Sequence, residues 1–139
     1  MKVVLDTSVV SALMHRVPEA LLRLRAYAPG EVYLASPVAA EIAYGLSRLV
    51  EGSRRQTTLR DEYRRLREVL EWVDWTERAA SLFGVHKAAL ERVGRSVDDM
   101  DVVIGSIAMS IDARVATVNV RHFNRFEGLV VDDWGKAAE

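Results

Sequence analysis

The chain has 139 residues, half of them hydrophobic and 28% charged, with a formal net charge of −1. That length suits one domain with its own core, and the near-neutral charge means that the molecule as a whole does not attract phosphates. It contains no cysteine, which excludes disulfides, thiolate nucleophiles and zinc–thiolate sites, so any metal must bind through oxygen or imidazole.

No low-complexity tract or Gly/Ser linker interrupts the chain; residues 1–134 are expected to form a single domain and 135–139 a short tail. Apolar runs fall short of membrane-spanning length, and the first segment turns acidic too early for a signal peptide. The expectation is a cytoplasmic protein with no membrane partner.

Lys2–Asp6 reads as a short buried strand, apolar without alternation, as in a parallel sheet covered on both faces. Asp6, followed by Thr7 and Ser8, is also placed to cap a helix. A helix is expected from Pro18 to about Ala28, then a second strand over Glu31–Ala35 after the Pro29-Gly30 turn. Ser36-Pro37 opens a helix to about Val50, with Val38, Ile42, Leu46 and Leu49 on one face. Leu59, Tyr63, Leu66 and Leu70 trace the stripe of a third helix. A fourth helix starts at Thr76 or Glu77 and turns Ala79, Leu82, Phe83, His86, Leu90 and Val93 inward. The last, about Asp99 to Ile111, is apolar almost all round and so central. Strands over Arg114–Asn119 and Leu129–Val131 follow.

Strands separated by helices imply an α/β fold with a parallel sheet and helices on both faces, and such sheets bind ligands at the carboxyl ends of their strands. Four polar residues reach that edge. Asp6 ends the first strand and Asn119 the third; Glu41 and Asp101 lie in the opening turns of helices. Three carboxylates in one hollow repel one another unless a cation neutralises them, at a cost of about a few kcal/mol. A hard divalent ion such as magnesium, which prefers oxygen ligands, is the natural remedy. Each residue also has a simpler role: Asp6, Asp98, Asp99 and Asp101 as helix caps or dipole partners, Glu41 as a solvated acid, Asn119 as a turn residue.

The residues together resemble a known family. VVLDTSVV, SPVAAEIAYGL, VGRSVDDMDVVIGSIA and ATVNVRHFNRFEGLVVDDW occur in the order found in PIN-domain proteins of the VapC type, ribonuclease toxins of toxin–antitoxin pairs. The resemblance spans almost the whole chain. It implies a three-layer α/β/α fold around a mainly parallel sheet of four to five strands, and a metal site made by Asp6, Glu41 and Asp101. It also implies a magnesium-dependent endoribonuclease, with manganese as a possible substitute, an RNA substrate, a cognate small antitoxin and a homodimer. The fourth position is often Asp in this family and here is Asn119, which removes one charge. Asp98 and Asp99 stand where a Gly and a variable residue are common, and Asp99 is the better candidate to support the site. Thr7, Ser8 and Thr117 resemble the small hydroxyl residues that line such sites.

Other features are read conservatively. His86 is a core histidine, His122 a surface-loop residue with reach to a substrate phosphate as the alternative, and His15 isolated. Trp72, Trp75 and Trp134 are packing anchors. The arginines from Arg54 to Arg67 form a solvated face, an RNA contact or an antitoxin surface. A non-catalytic RNA-binding or scaffold domain is the alternative function. An aspartate-based phosphoacceptor is disfavoured, because residue 8 is Ser rather than Asp.

Overall fold

The computed structural model describes residues 1–136; the last three residues of the expected tail lie outside them. Five strands form one sheet, β1 (Val3–Leu5), β2 (Val32–Ala35), β3 (Glu71–Val73), β4 (Arg114–Thr117) and β5 (Val131–Asp133), in the order β3-β2-β1-β4-β5. Every neighbouring pair is parallel. Parallel neighbours cannot be joined by tight hairpins, so helices carry the crossovers. These are α1 (Thr7–Met14), α2 (Pro18–Arg25), α3 (Ser36–Ser47), α4 (Arg54–Val69), α5 (Glu77–Arg92) and α6 (Asp99–Ser110).

β1 lies at the centre, and Val3, Val4 and Leu5 are all 0% exposed. Successive side chains of a strand point to opposite faces, so complete burial of three in a row means that both faces are covered. The sheet is therefore the middle layer of an α/β fold flanked by helices, as the alternation of elements requires.

Two elements are not resolved by periodicity. α1 follows β1 with only Asp6 between them, and the apolar run Val9-Val10 continues the look of a strand although Val9, Val10, Leu13 and Met14 form a buried helical face. β3 has one buried residue, Val73, and joins the edge of the sheet only because β2 offers it an unpaired backbone. Boundaries elsewhere move by a few residues. α2 stops at Arg25 rather than Ala28, α3 at Ser47 rather than Val50, and β5 is shifted to Val131–Asp133.

α3 buries Val38, Ile42 and Leu46, and α4 buries Leu59 and Leu66, with Leu70 buried at its end. Gln56, 2% exposed, ties the two helices: its Nε2 donates to the Leu46 carbonyl at 3.1 Å and its Oε1 accepts from Gly52 N–H at 2.9 Å. On α5 the inward stripe ends at Leu90. Val93 lies beyond the helix and is 68% exposed, because Gly94 at φ +69° turns the chain away. Of the tryptophans only Trp134 is buried; Trp72 lies under the Arg67 guanidinium and Trp75 meets Phe83 edge-on, both partly exposed.

α6 is buried nearly all round, and a glycine makes its approach to the β4–β5 connection possible. A Cβ on Gly105 would lie 3.2 Å from Phe126 Cε1. Phe126 packs against this helix and Phe123 packs against Phe126, and both are buried, which fixes the loop that leaves the carboxyl end of β4.

Candidate active site

Parallel strands place their carboxyl ends on one edge, and the polar residues singled out above arrive there. Asp6, Thr7, Ser8, Glu41, Asp98, Asp101, Asn119 and His122 line a single cleft of about 270 Å³. Asp6, Glu41 and Asp101, from three distant segments, thus face one hollow.

Asp6 is 5% exposed and has two roles at once. As the N-cap of α1 its Oδ1 accepts from Val9 N–H at 3.0 Å, and the Ser8 hydroxyl donates to the same oxygen at 2.6 Å. The buried Thr117 hydroxyl donates to Oδ2 at 2.5 Å and accepts from Asn119 N–H at 2.9 Å. The capping role and the cleft role therefore coexist, since a carboxylate has about four acceptor positions and three are used. Glu41 is half-buried and accepts a hydrogen bond from the Thr7 hydroxyl. Thr7, Ser8 and Thr117 act as clamps on the two acids.

Asp101 sits in the first turn of α6 with its side chain 16% exposed, and His122 Nδ1 lies 3.1 Å from its Oδ2. Burial pushes the Asp101 carboxyl up from 3.8 to about 6; His122 opposes the shift, while Asp98, Asp6 and Glu41 reinforce it by repulsion. A carboxyl so raised holds its proton more tightly folded than unfolded. Its contribution to stability is present below pH 3.8 and is lost as pH rises through about 6. In chelator, thermal melts across that window should show Asp101→Asn gaining on the wild type as pH increases. A constant difference from acid to neutral pH would contradict the repulsion.

Two placements differ from expectation. Asp99 is turned out of the cleft and pairs with Lys87 of α5 at 3.0 Å, with its side chain 65% exposed. Asp98 instead lines the cleft while capping α6 through Met100 N–H at 2.8 Å. His122 is exposed, as a loop histidine should be, yet reaches Asp101 because the 3-10 turn Val120–His122 folds it back over the cleft. Its spacing three residues after Asn119 is the one signal in the chain that hints at this.

The donor set is chemically suited to a hard divalent ion: oxygens that repel one another and no thiolate. Among the described residues no three His, Asp or Glu side chains stand close enough to hold an ion by themselves. The cleft is an open site, fitting an ion that keeps several of its waters rather than one enclosed by protein.

A PIN domain model matches residues 3–129. Ribonuclease VapC2 of Rickettsia felis is 28% identical over 105 residues, which cover 76% of this chain and 75% of that protein. A tRNA(fMet)-specific endonuclease VapC of Shigella flexneri is 28% identical over 96% of this chain and 98% of its own length. Among solved structures, a DNA-bound VapBC from Salmonella typhimurium superposes with a TM-score of 0.82 at 26% identity, covering 96% of this chain and 98% of the other. With the matched segment running from β1 past Phe126 and including every acid of the cleft, the chain belongs to the PIN-domain family.

Proposed function

We propose that this chain is a divalent-metal-dependent endoribonuclease of the VapC type, which hydrolyses RNA phosphodiester bonds at the cleft between β1, α3 and α6 and is restrained by a small antitoxin. The observation that carries it is the meeting of Asp6, Glu41 and Asp101 in one open hollow, with the Asp101 carboxyl raised by burial and further by the neighbouring acids. Likeness to an endonuclease and to a VapBC complex over nearly the whole chain, and to a further ribonuclease over three quarters of it, supports the same reading.

Asp6, Glu41 and Asp101 would hold the ion together with waters it keeps, since the three side chains do not close on it by themselves. When bound, magnesium or manganese lowers the pKa of a coordinated water and neutralises charge on the phosphoryl oxygens. The protein's own part is geometric and electrostatic. Ser8, Thr117 and Val9 N–H hold Asp6 in one rotamer, and Thr7 holds Glu41. His122, with Nδ1 at 3.1 Å from Asp101 Oδ2, would orient that carboxylate at the cleft. Asn119 adds a neutral amide where a further acid would add repulsion.

A groove of about 240 Å³ leaves the cleft at Thr7 and Glu41 and runs between α1, α3 and α4 past Met14, Ile42, Leu46 and Leu59. Its apolar walls suit the hydrophobic face of an antitoxin segment, ending with a basic group toward the acids. Assembly as a homodimer belongs to the same proposal, by likeness to the family.

The test is cleavage of single-stranded and transfer RNA by the purified chain with magnesium, with manganese and in chelator. Cleavage only with a divalent ion is expected. Undiminished cleavage in chelator would contradict the mechanism, and metal-stabilised RNA binding without cleavage would favour the non-catalytic alternative.

A further inference from the structure

A second cleft, of about 490 Å³, is lined by Val93, Arg95, Arg121, Asn124 and Arg125, the last three from the same segment that brings Asn119 and His122 to the acid cleft. It is built by the packing already described. Phe123 and Phe126 face inward, so Arg121, Asn124 and Arg125 face out. Arg95 is brought to them by the turn ending α5, where Gly94 adopts φ +69° and the Arg95 N–H donates to the Leu90 carbonyl at 2.9 Å. Among the described residues these three guanidinium groups have no carboxylate, hydrogen-bond or ring partner, and no acid lines the cleft. On α4, Arg64 and Arg65 pair with Asp61 and Glu62 and Arg67 stacks on Trp72, while Arg54, Arg55 and Arg60 do not converge with a third guanidinium on one acid-free cleft among the described residues.

We propose that Arg95, Arg121 and Arg125 form a phosphate-binding subsite that holds the RNA backbone beside the scissile bond; this rests on the ribonuclease reading above. Three features favour a polyanion. Guanidinium forks match phosphate oxygens in two-point hydrogen bonds, and three in one cleft suit successive phosphates. Asn124 adds a neutral donor, while the cleft's one apolar wall is Val93, too little for the anchor pocket of a protein interface. The acid cleft also repels a backbone, and a chain of net charge −1 supplies no general attraction, so local positive charge must do so. The two clefts are contiguous in sequence: Arg121 precedes His122, and Arg95 lies three residues before Asp98.

The test is fluorescence anisotropy of the full chain with a labelled single-stranded oligoribonucleotide in chelator, across a salt series. The proteins are wild type, Arg95→Gln, Arg121→Gln, Arg125→Gln and, as a control, Arg64→Gln. Each of the three substitutions should weaken binding about five- to tenfold. Each should also flatten the salt dependence by about 0.7 in log–log slope, one phosphate contact on a single strand. Arg64→Gln should change neither. Arg121→Lys should restore the slope, because it restores the charge. In the magnesium reaction the three variants should raise KM and leave kcat near wild type. Unchanged affinity and slope would overturn the subsite, as would weakening confined to double-stranded DNA. The two readings fail separately. Cleavage that does not depend on these arginines removes the subsite alone, whereas a chain that never cuts RNA removes the ribonuclease reading and leaves the anisotropy to decide the subsite.

Discussion

Asp101→Asn is expected to reduce divalent-dependent RNA cleavage by about a hundredfold or more while raising the stability of the metal-free protein at neutral pH. The two effects have one cause. The carboxyl is half-buried and repelled by Asp98, Asp6 and Glu41, so its charge is unfavourable without a cation and is kept for what it binds. An amide removes the repulsion and the negative charge together. Asp6→Asn should lose activity to a similar degree with a smaller change in stability, because an asparagine oxygen still caps Val9 N–H and its amide can donate to the Thr117 hydroxyl. The cost is about 1 kcal/mol for the lost charge-assisted bonds. Cleavage rates and melting temperatures measured on the same preparations check both variants. Wild-type cleavage by Asp101→Asn, or a loss of activity that merely tracks loss of fold, would remove these acids from the reaction.

The second large effect concerns stability. Trp134 is 1% exposed; its Nε1 donates to Asp132 Oδ2 at 3.0 Å and its ring stacks on Tyr27 with centroids 5.9 Å apart. The Tyr27 hydroxyl donates to the same oxygen at 2.5 Å, and burial, then Asp132, pushes this phenol up to about 12, so it stays protonated. The Trp134 N–H donates at 2.9 Å to the carbonyl of Thr117, the residue whose hydroxyl clamps Asp6. Trp134→Ala should therefore lower the free energy of unfolding by about 3–5 kcal/mol through the cavity it opens, a large share of a domain's stability. Trp134→Phe retains most of the packing and should cost about 1 kcal/mol for the lost hydrogen bond. Denaturant midpoints measure both. A loss below about 1 kcal/mol for the alanine variant would mean that the cavity collapses and that β5 is not held by this ring.

Much of this architecture was legible before the structure. An apolar run with no alternation marks a strand covered on both faces, and β1 is that strand. The stripes of α3 and α4 are buried where periodicity places them, apart from the boundaries. Strands alternating with helices imply a parallel sheet, and such a sheet has one carboxyl edge; that is why Asp6, Glu41, Asp101 and Asn119 could be assigned to one cleft. Legibility stopped where a residue's role depends on its neighbours in space. Asp98 and Asp99 are equivalent as capping acids, and the position of Lys87 on α5 turns one outward and leaves the other at the cleft. His122 looks like any loop histidine until Phe126 pins the loop against α6. Arg95 lies 26 residues from Arg121 in the chain and reaches it only through packing.

What the sequence determined by itself is the order of elements, the parallel sheet and the edge at which acids collect, because hydrophobic period, caps and turns are local properties of the chain. What only the tertiary structure decided is which way each polar side chain faces and which distant ones meet. Those outcomes follow from how α5, α6 and the β4–β5 connection pack against one another, since burial and Coulomb interactions depend on distance in space rather than along the chain.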